Sequence, residues 1–165
     1  CSSCGAEIIW IKTAAGKPLR VFDDVKHMNE TIVRRYNEVV RPQDKCYILG
    51  DVAMKDTGIQ YLKRLNGHKR LILGNHDYGN MRLYAPYFES IYSSRLLDRM
   101  IFTHIPIHPE SIGKNHANVH GHSHVHEQGG IGPRYFNVCC EALDFTPIAL
   151  EDIKKKVMKL TGDSW

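Results

Sequence analysis

Four short apolar segments of the sequence each end in residues of the types that bind metal ions. The segments are KCYILG, RLILG, RMIFT and ANVHG. The residues that follow them are Asp51, Asn75, His76, Asp77, His104, His122 and His124. Short apolar runs bounded by glycine and polar residues predict buried strands. Because sites assemble at the carboxyl ends of strands in open α/β sheets, the four segments predict one common site.

Helical patterns separate the early strands. Residues 24–42 carry apolar side chains at helical spacing, with Asp24 near the N-cap and Pro42 as the stop. The stretch TGIQYLKRLNG predicts a second helix, which Gly67 would end, and a final helix is expected over about residues 150–160. Strands and helices alternate early and strands dominate late, which predicts an α/β domain with a mixed sheet core.

Length and composition restrict the class of protein. A chain of 165 residues predicts a single domain with a proper core. The net charge of +4 is spread out, and the run DIKKKVMK is interpreted as a solvated helix face in preference to a nucleic-acid patch. No apolar stretch approaches the roughly 20 residues of a membrane span. The five cysteines lack framework spacing, so a cytoplasmic location is expected.

The stretch KNHANVHGHSHVHEQ crowds five histidines together. In an extended strand the four alternating ones, at positions 120, 122, 124 and 126, would share one face. Neutral imidazoles on one face offer ring nitrogens to a metal, and a solvated strand needs no such run. We expect His122 and His124 to be ligands, and His120 to pack in the core or to orient a ligand.

The blocks LGDVA, LGNHD, FTHIP and VHGHSH occur in the order typical of the calcineurin-like metallophosphoesterases. The chain resembles this family from about Val21 to Leu150, and short phage and bacterial members are the most similar. The resemblance implies two packed mixed β-sheets flanked by helices, in a domain that covers residues 18–165.

The resemblance also implies a set of metal ligands. Asp51 would bridge two divalent ions, Asn75, His104 and His122 would complete the second metal site, and His124 would belong to the first. A bridging carboxylate can hold two cations about 3.5–4 Å apart, on the attacking and the leaving oxygen of an in-line displacement. Mixed nitrogen and oxygen ligands favour Mn²⁺, with Fe, Zn²⁺ and Co²⁺ as alternatives, over Ca²⁺.

By the same resemblance, His76 would lie near the substrate as a proton donor or charge stabiliser, held by Asp77. The expected activity is hydrolysis of a small phosphoester, as a phosphodiesterase or a phosphatase, by metal-bound hydroxide. The sequences GDVAMKD and GNHD differ from the phosphoprotein phosphatase branch. A nuclease would usually carry capping domains, for which the chain has no room, so nucleic acid is not the favoured substrate. Neither a membrane partner nor an oligomeric state is indicated.

One family motif is missing. The D-x-H that supplies the other two ligands of the first site does not occur before Asp51. Residues 1–17 stand in its place and resemble the start of a zinc ribbon, although no second C-x-x-C follows. The segment is an artefact of fusion or reading, or a real exchange, or else Cys1, Cys4, Asp23 or Asp24 substitute as ligands. The second site is therefore expected to be intact and the first doubtful, and the alternative function is a metal-binding relic with little turnover.

Overall fold

The computed structural model describes residues 7–10, 22–53, 56–124 and 131–162. The strands are β1 (Glu7–Trp10), β2 (Lys45–Ile48), β3 (His68–Ile72), β4 (Ser90–Tyr92), β5 (Arg95–Leu97), β6 (Met100–Phe102), β7 (Ala117–His120), β8 (Tyr135–Asn137) and β9 (Ile148–Ala149). The α-helices are α1 (Val25–Val39), α2 (Met81–Tyr84), α3 (Pro109–Ile112) and α4 (Leu150–Thr161). Short 3₁₀ helices cover Asp56–Arg64, Tyr78–Asn80, Ala85–Tyr87 and Glu141–Leu143.

The strands form two mixed β-sheets, which confirms the predicted fold class. The first sheet has the order β4-β3-β2-β1-β9, with β1 to β4 parallel and β9 antiparallel to β1. The second has the order β5-β6-β7-β8, with β6 to β8 parallel and β5 antiparallel to β6. In both sheets the parallel strands point their carboxyl ends to one edge.

The side chains of β2 show how the layers pack. Cys46 and Ile48 belong to an apolar cluster with the buried face of α1, whereas Tyr47 and Leu49 belong to a second cluster with the strands of the other sheet and α4. Alternate residues of a strand point to opposite faces, so an uninterrupted apolar run serves both layers. The first sheet therefore lies between helices and the second sheet.

Helix α1 follows the sequence prediction closely. Its N-cap is Asp24, whose carboxylate accepts a hydrogen bond from the His27 N–H at 2.7 Å. Met28, Ile32 and Tyr36 are among the residues of its buried face. The predicted second helix differs, because Asp56–Arg64 is a 3₁₀ helix. Gly58 lies in its first turn and lowers α-helical propensity by about 1 kcal/mol relative to alanine, which favours the tighter form.

Strand β1 falls within the segment 1–17 that resembles a zinc ribbon. It occupies a central position in the first sheet, between β2 and β9, with Trp10 opposite Ile48. This strand is therefore an integral part of the main sheet. The Cys1–Cys4 knuckle and residues 11–21 lie outside the described residues, and the division of the chain at residue 17 stays a prediction. Within the described ranges, no helix has the length and apolar composition needed to cross a membrane.

The expectation that four alternating histidines share one strand face is wrong. Strand β7 ends at His120, and residues 121–124 form an irregular loop. His122 has a φ of 60°, in the left-handed region, and this conformation ends the alternation of side chains. His126 lies outside the described residues.

Candidate metal centre

The candidate site lies where the carboxyl ends of strands from both sheets meet. Asp51 follows β2 and Asn75 follows β3 in the first sheet, while His104 follows β6 and His122 follows β7 in the second. Each position comes within a few residues of its strand end, so parallel pairing brings all four side chains to the same edge. We call these four residues the oxygen–nitrogen cluster.

Two members of the oxygen–nitrogen cluster have an unusual backbone. Asp51 has a φ of 50° and His122 a φ of 60°, both in the left-handed region that side chains with a Cβ seldom adopt. Each such residue costs of order 1–3 kcal/mol, and the surrounding contacts must offset that cost.

The glycines of the LGD and LGN motifs allow a very close approach of two loops. A methyl group at Gly50 would lie 2.5 Å from the Gly74 Cα and 2.7 Å from the His104 Nδ1. A methyl group at Gly74 would lie 3.0 Å from the carboxyl carbon of Asp51. Both positions therefore require glycine, because any side chain would push the two strand ends apart.

The carboxylate of Asp77 connects the same two loops. It is fully buried and accepts hydrogen bonds from the backbone N–H of Asp51 at 2.8 Å, Val52 at 2.9 Å and Gly74 at 2.9 Å. Burial raises the pKa of Asp77, although the three N–H donors oppose that rise. The sequence predicted that Asp77 holds the His76 ring. The structure gives the carboxylate a different task, which is to fix the backbone turn that carries Asp51.

Within the oxygen–nitrogen cluster, three acceptor atoms surround one ring nitrogen. The His104 Nδ1 lies 2.6 Å from the Leu49 carbonyl oxygen, so Nδ1 carries a proton and Nε2 is left with a lone pair in the neutral ring. Around Nε2 lie the Asp51 Oδ2 at 3.2 Å, the Asn75 Oδ1 at 3.1 Å and the His122 Nδ1 at 3.2 Å. With this tautomer, the arrangement of four electron-rich atoms favours a cation among them.

The pKa shifts show where a proton stands in for that cation. Burial lowers the pKa of His104, but hydrogen bonds to Asp51 and Leu49 outweigh it and raise that pKa above its ordinary value of 6.5. Burial raises the pKa of Asp51, but hydrogen bonds from the His104 ring and the His76 N–H outweigh it and lower that pKa. Burial and the charge of His104 lower the pKa of His122. The cluster thus attracts one positive charge, next to His104.

The spacing of the donors fits a divalent transition ion. Metal–ligand distances of about 2.0–2.2 Å place neighbouring ligand atoms roughly 2.8–3.6 Å apart in octahedral and tetrahedral geometry. The separations around the His104 Nε2, from 3.1 to 3.2 Å, fall in that range. One carboxylate, one amide oxygen and two imidazoles form a donor set that suits Mn²⁺, Fe or Zn²⁺.

His76 and His120, two other histidines that the sequence singled out, differ in their exposure. His76 is exposed, and its backbone N–H donates to the Asp51 Oδ1 at 3.0 Å, so the ring is carried on the same turn as Asn75. His120 is buried; its Nδ1 lies 2.9 Å from the Gly121 carbonyl oxygen, and its ring packs edge-on against Tyr135. His120 thus has the packing environment that the sequence predicted for it.

His124, expected in the first metal site, lies beside two residues that the sequence did not point to. Its Nδ1 is 3.0 Å from the Glu141 Oε1. Ligand atoms of His124, Cys139 and Glu141 all lie within 4.8 Å of one another. We call these three residues the thiol cluster. The signal that could have revealed it is a fifth strand of the same type, FNV, which is followed by CCE.

The charge of Asp51 contributes to the pKa shifts of two members of the thiol cluster. The hydrogen bond to Glu141 raises the pKa of His124 against the effect of burial, and the charges of Glu141 and Asp51 add to the rise. Burial raises the pKa of the Cys139 thiol to about 12, and the same two carboxylates contribute. Asp51 therefore acts on both clusters.

Comparison with known proteins supports the fold and leaves the activity open. No family model matches the sequence. The chain is 28% identical over 149 residues to an uncharacterized protein of Methanocaldococcus jannaschii, a match that covers 85% of this chain and 81% of that protein. A solved structure of a protein of unknown function from Aquifex aeolicus has a TM-score of 0.69 and 20% identity, and covers 90% of this chain and 98% of its own. At that identity the likeness shows the fold alone.

A second solved structure, described as a novel archaeal phosphodiesterase, has a TM-score of 0.49 and 18% identity. It covers 82% of this chain and 85% of its own. A score this low carries no argument about activity.

Proposed function

We propose that this protein is a metal-dependent phosphoester hydrolase that acts on a small phosphodiester or phosphomonoester. The observation that carries the proposal is the convergence of Asp51, Asn75 and His122 on the His104 Nε2, at the edge where both sheets end. The order of the LGDVA, LGNHD, FTHIP and VHGHSH blocks, similar to the calcineurin-like metallophosphoesterases, supports it.

In this proposal, some residues of the site bind the metal ion and another transfers a proton. Asp51 and His104 form the buried floor, while Asn75 and His122 are exposed and leave the site open to a ligand. When bound, a divalent ion would acidify a water molecule and polarise a phosphoryl oxygen. His76 follows Asn75 on the same turn and is exposed, and we expect its ring to donate a proton to the leaving oxygen or to stabilise its charge.

The openness of the site suits a small or extended phosphoester. Asn75, His76 and His122 are all exposed, so a phosphate group can approach without displacing core side chains. The buried walls come from the Asp51 and His104 side chains, each 3% exposed, and they hold two ligand atoms in fixed positions. Fixed donors around a developing charge are the main source of catalysis in sites of this kind.

A metal-binding protein with little turnover is the second candidate. The observation that favours it is the sequence itself, which has no D-x-H before Asp51 to complete the first metal site. In that case the oxygen–nitrogen cluster would bind one ion tightly, and hydrolysis would be slow at every metal concentration. Metal content and turnover, measured on one preparation, separate the two candidates.

The experiment is an assay of bis-p-nitrophenyl phosphate hydrolysis with added Mn²⁺, with wild type compared to Asp51→Asn. The amide keeps the size of the side chain but removes the charge that both clusters share, so hydrolysis and Mn²⁺ binding should both be lost. Asp152→Asn is the matched control, because the Asp152 side chain is 55% exposed on α4. Wild type that binds Mn²⁺ but shows no turnover would favour the second candidate. Equal turnover in wild type and Asp51→Asn would refute the proposal.

A further inference from the structure

The thiol cluster of His124, Cys139 and Glu141 adjoins the oxygen–nitrogen cluster along the chain, because His124 lies two residues after His122. It combines one imidazole, one thiol and one carboxylate, which are the three side-chain types that Zn²⁺ binds most often. The sequence lacks the D-x-H that would supply two ligands on this side. We propose that the thiol cluster is a metal site in its own right, which takes a thiolate-binding divalent ion such as Zn²⁺ or Co²⁺ in place of the missing motif.

The geometry of the thiol cluster matches a three-ligand site with one open position. The His124 Nδ1 and Glu141 Oε1 are 3.0 Å apart, a separation expected for neighbouring ligand atoms of one ion. The Cys139 sulfur lies within 4.8 Å of the other ligand atoms, and a small contraction would bring it to the roughly 3.6 Å expected from a Zn–S bond of about 2.3 Å. Three protein ligands with a free fourth position are typical of catalytic zinc.

Burial closes the site on one side only. Cys139 is fully buried and the Glu141 side chain is 3% exposed, whereas the His124 side chain is 40% exposed. An ion would enter past His124 and meet the thiol and the carboxylate at the back. Binding would release the thiol proton to solvent and leave a thiolate on the ion.

The backbone around the thiol cluster is held in place by Asn137. Its side-chain N–H donates to the Ser123 carbonyl oxygen at 2.9 Å, and its side-chain oxygen accepts from the Cys139 N–H at 3.0 Å. One buried amide thus connects the loop that carries His124 to the chain that carries Cys139. Ligands that are fixed before the ion arrives bind it with less loss of entropy.

The loop after β7 contributes one histidine to each cluster. His122 and His124 are separated by one residue and belong to different clusters, and the charge of Asp51 acts on both His124 and Cys139. The proposal rests on the proposed function only where it gives the second ion a role in hydrolysis. The ion itself is testable without any assay of hydrolysis.

The test is a titration of metal-free protein with Co²⁺, followed by absorption in the near ultraviolet. Thiolate-bound Co²⁺ gives a sulfur-to-metal charge-transfer band there, and cobalt held only by nitrogen and oxygen does not. Cys1 and Cys4 are changed to serine in every sample, so that the band reports only on Cys46, Cys139 and Cys140. We expect the band in this parent protein and its loss in Cys139→Ser, with binding of that ion at least tenfold weaker in Glu141→Gln.

Cys46→Ser is the matched control, because Cys46 is an equally buried thiol in β2 and should not affect the band. His104→Ala should remove the ion of the oxygen–nitrogen cluster and leave the band unchanged, which separates failure of this proposal from failure of the proposed function. X-ray absorption of the cobalt-loaded parent should show sulfur at about 2.3 Å without any change at Cys139. A parent without the band and without sulfur near the metal, or a band that persists in Cys139→Ser, would overturn the proposal.

Discussion

The oxygen–nitrogen cluster and the thiol cluster lie side by side, but the sequence predicts the first much better than the second. Every member of the first follows an apolar strand and falls in a short motif, so the sequence alone predicts its residues. In the second, only His124 belongs to a motif. Cys139 and Glu141 come after the fourth strand of the second sheet and reach His124 only because β7 and β8 are paired.

The two clusters also differ in the way the backbone supports them. The oxygen–nitrogen cluster depends on left-handed backbone at Asp51 and His122 and on the contact between Gly50 and Gly74. The thiol cluster depends on one side chain, Asn137, which bridges two segments. The difference teaches that short sequence motifs arise where the backbone is left-handed or where only glycine fits. Few residue types tolerate such positions.

The largest effect that would distinguish the clusters is expected from His104→Ala. This change removes the nitrogen around which the other three donors are arranged, so the oxygen–nitrogen cluster should lose its ion and the protein should lose hydrolysis. Elemental analysis after dialysis should show the loss of one metal per chain. His108→Ala is the control, because that side chain is 71% exposed. Metal content equal to wild type would mean that the four donors do not form the site.

His76→Ala should separate chemistry from metal binding. A proton donor or charge stabiliser contributes roughly 10²–10⁴-fold to a rate, so turnover should fall by that factor. The His76 backbone N–H, which donates to Asp51, is unchanged by the substitution, so metal content should stay constant. The measurement pairs kcat with metal analysis on one preparation. Loss of metal together with activity would instead make His76 a ligand.

Gly74→Ala should damage the oxygen–nitrogen cluster through the backbone. The added methyl group would lie 3.0 Å from the Asp51 carboxyl carbon, and overpacking of this kind typically costs 1–3 kcal/mol. The free energy of unfolding, from denaturant titration, should fall by about that amount, and Mn²⁺ binding should weaken. Gly79→Ala is the control, since a methyl group there meets no described atom within 4 Å. An unchanged Gly74→Ala protein would show that the close approach is unnecessary.

Much of the fold could be predicted from the sequence, because local signals determine it. Asp24 caps α1 as predicted, and each of the four apolar segments overlaps a strand. The 3₁₀ helix at Asp56–Arg64 was missed, since its spacing of apolar residues fits an α-helix equally well. The pairing of β1 with β2 and β9 was not predicted, because it joins residues far apart in the chain.

The site was less predictable where its contacts join residues far apart in the chain. The role of Asp77 depends on N–H groups about 25 residues earlier, which no local pattern reveals. The pair His124–Glu141 depends on the loop after β7 lying over the end of β8, and a carboxylate after a strand is too common to single out. Motifs therefore predict the candidate ligands, and the fold shows which contacts position them.

The smallest predicted effect is a difference in how metal binding depends on pH. In the oxygen–nitrogen cluster, hydrogen bonds to Asp51 and Leu49 outweigh burial and raise the pKa of His104 above 6.5, so an incoming ion must displace one proton there. The pKa values of Asp51 and His122 are both lowered, which favours the charged carboxylate and the neutral ring that bind a metal ion. Mn²⁺ affinity should rise about tenfold per pH unit and level off above the raised pKa of His104.

The thiol cluster must lose more protons than the oxygen–nitrogen cluster when it binds an ion. Glu141 raises the pKa of His124, and burial raises the pKa of Cys139 to about 12. Both groups are protonated below the pKa of His124, so Co²⁺ affinity should rise about a hundredfold per pH unit there. Above the pKa of His124, only the thiol proton of Cys139 remains to be released. The Co²⁺ affinity should therefore still rise about tenfold per pH unit at pH values where the Mn²⁺ affinity is already constant. Competition titrations with a chelator between pH 5.5 and 8.5 would measure both curves, and two parallel curves would mean that no thiol proton is released.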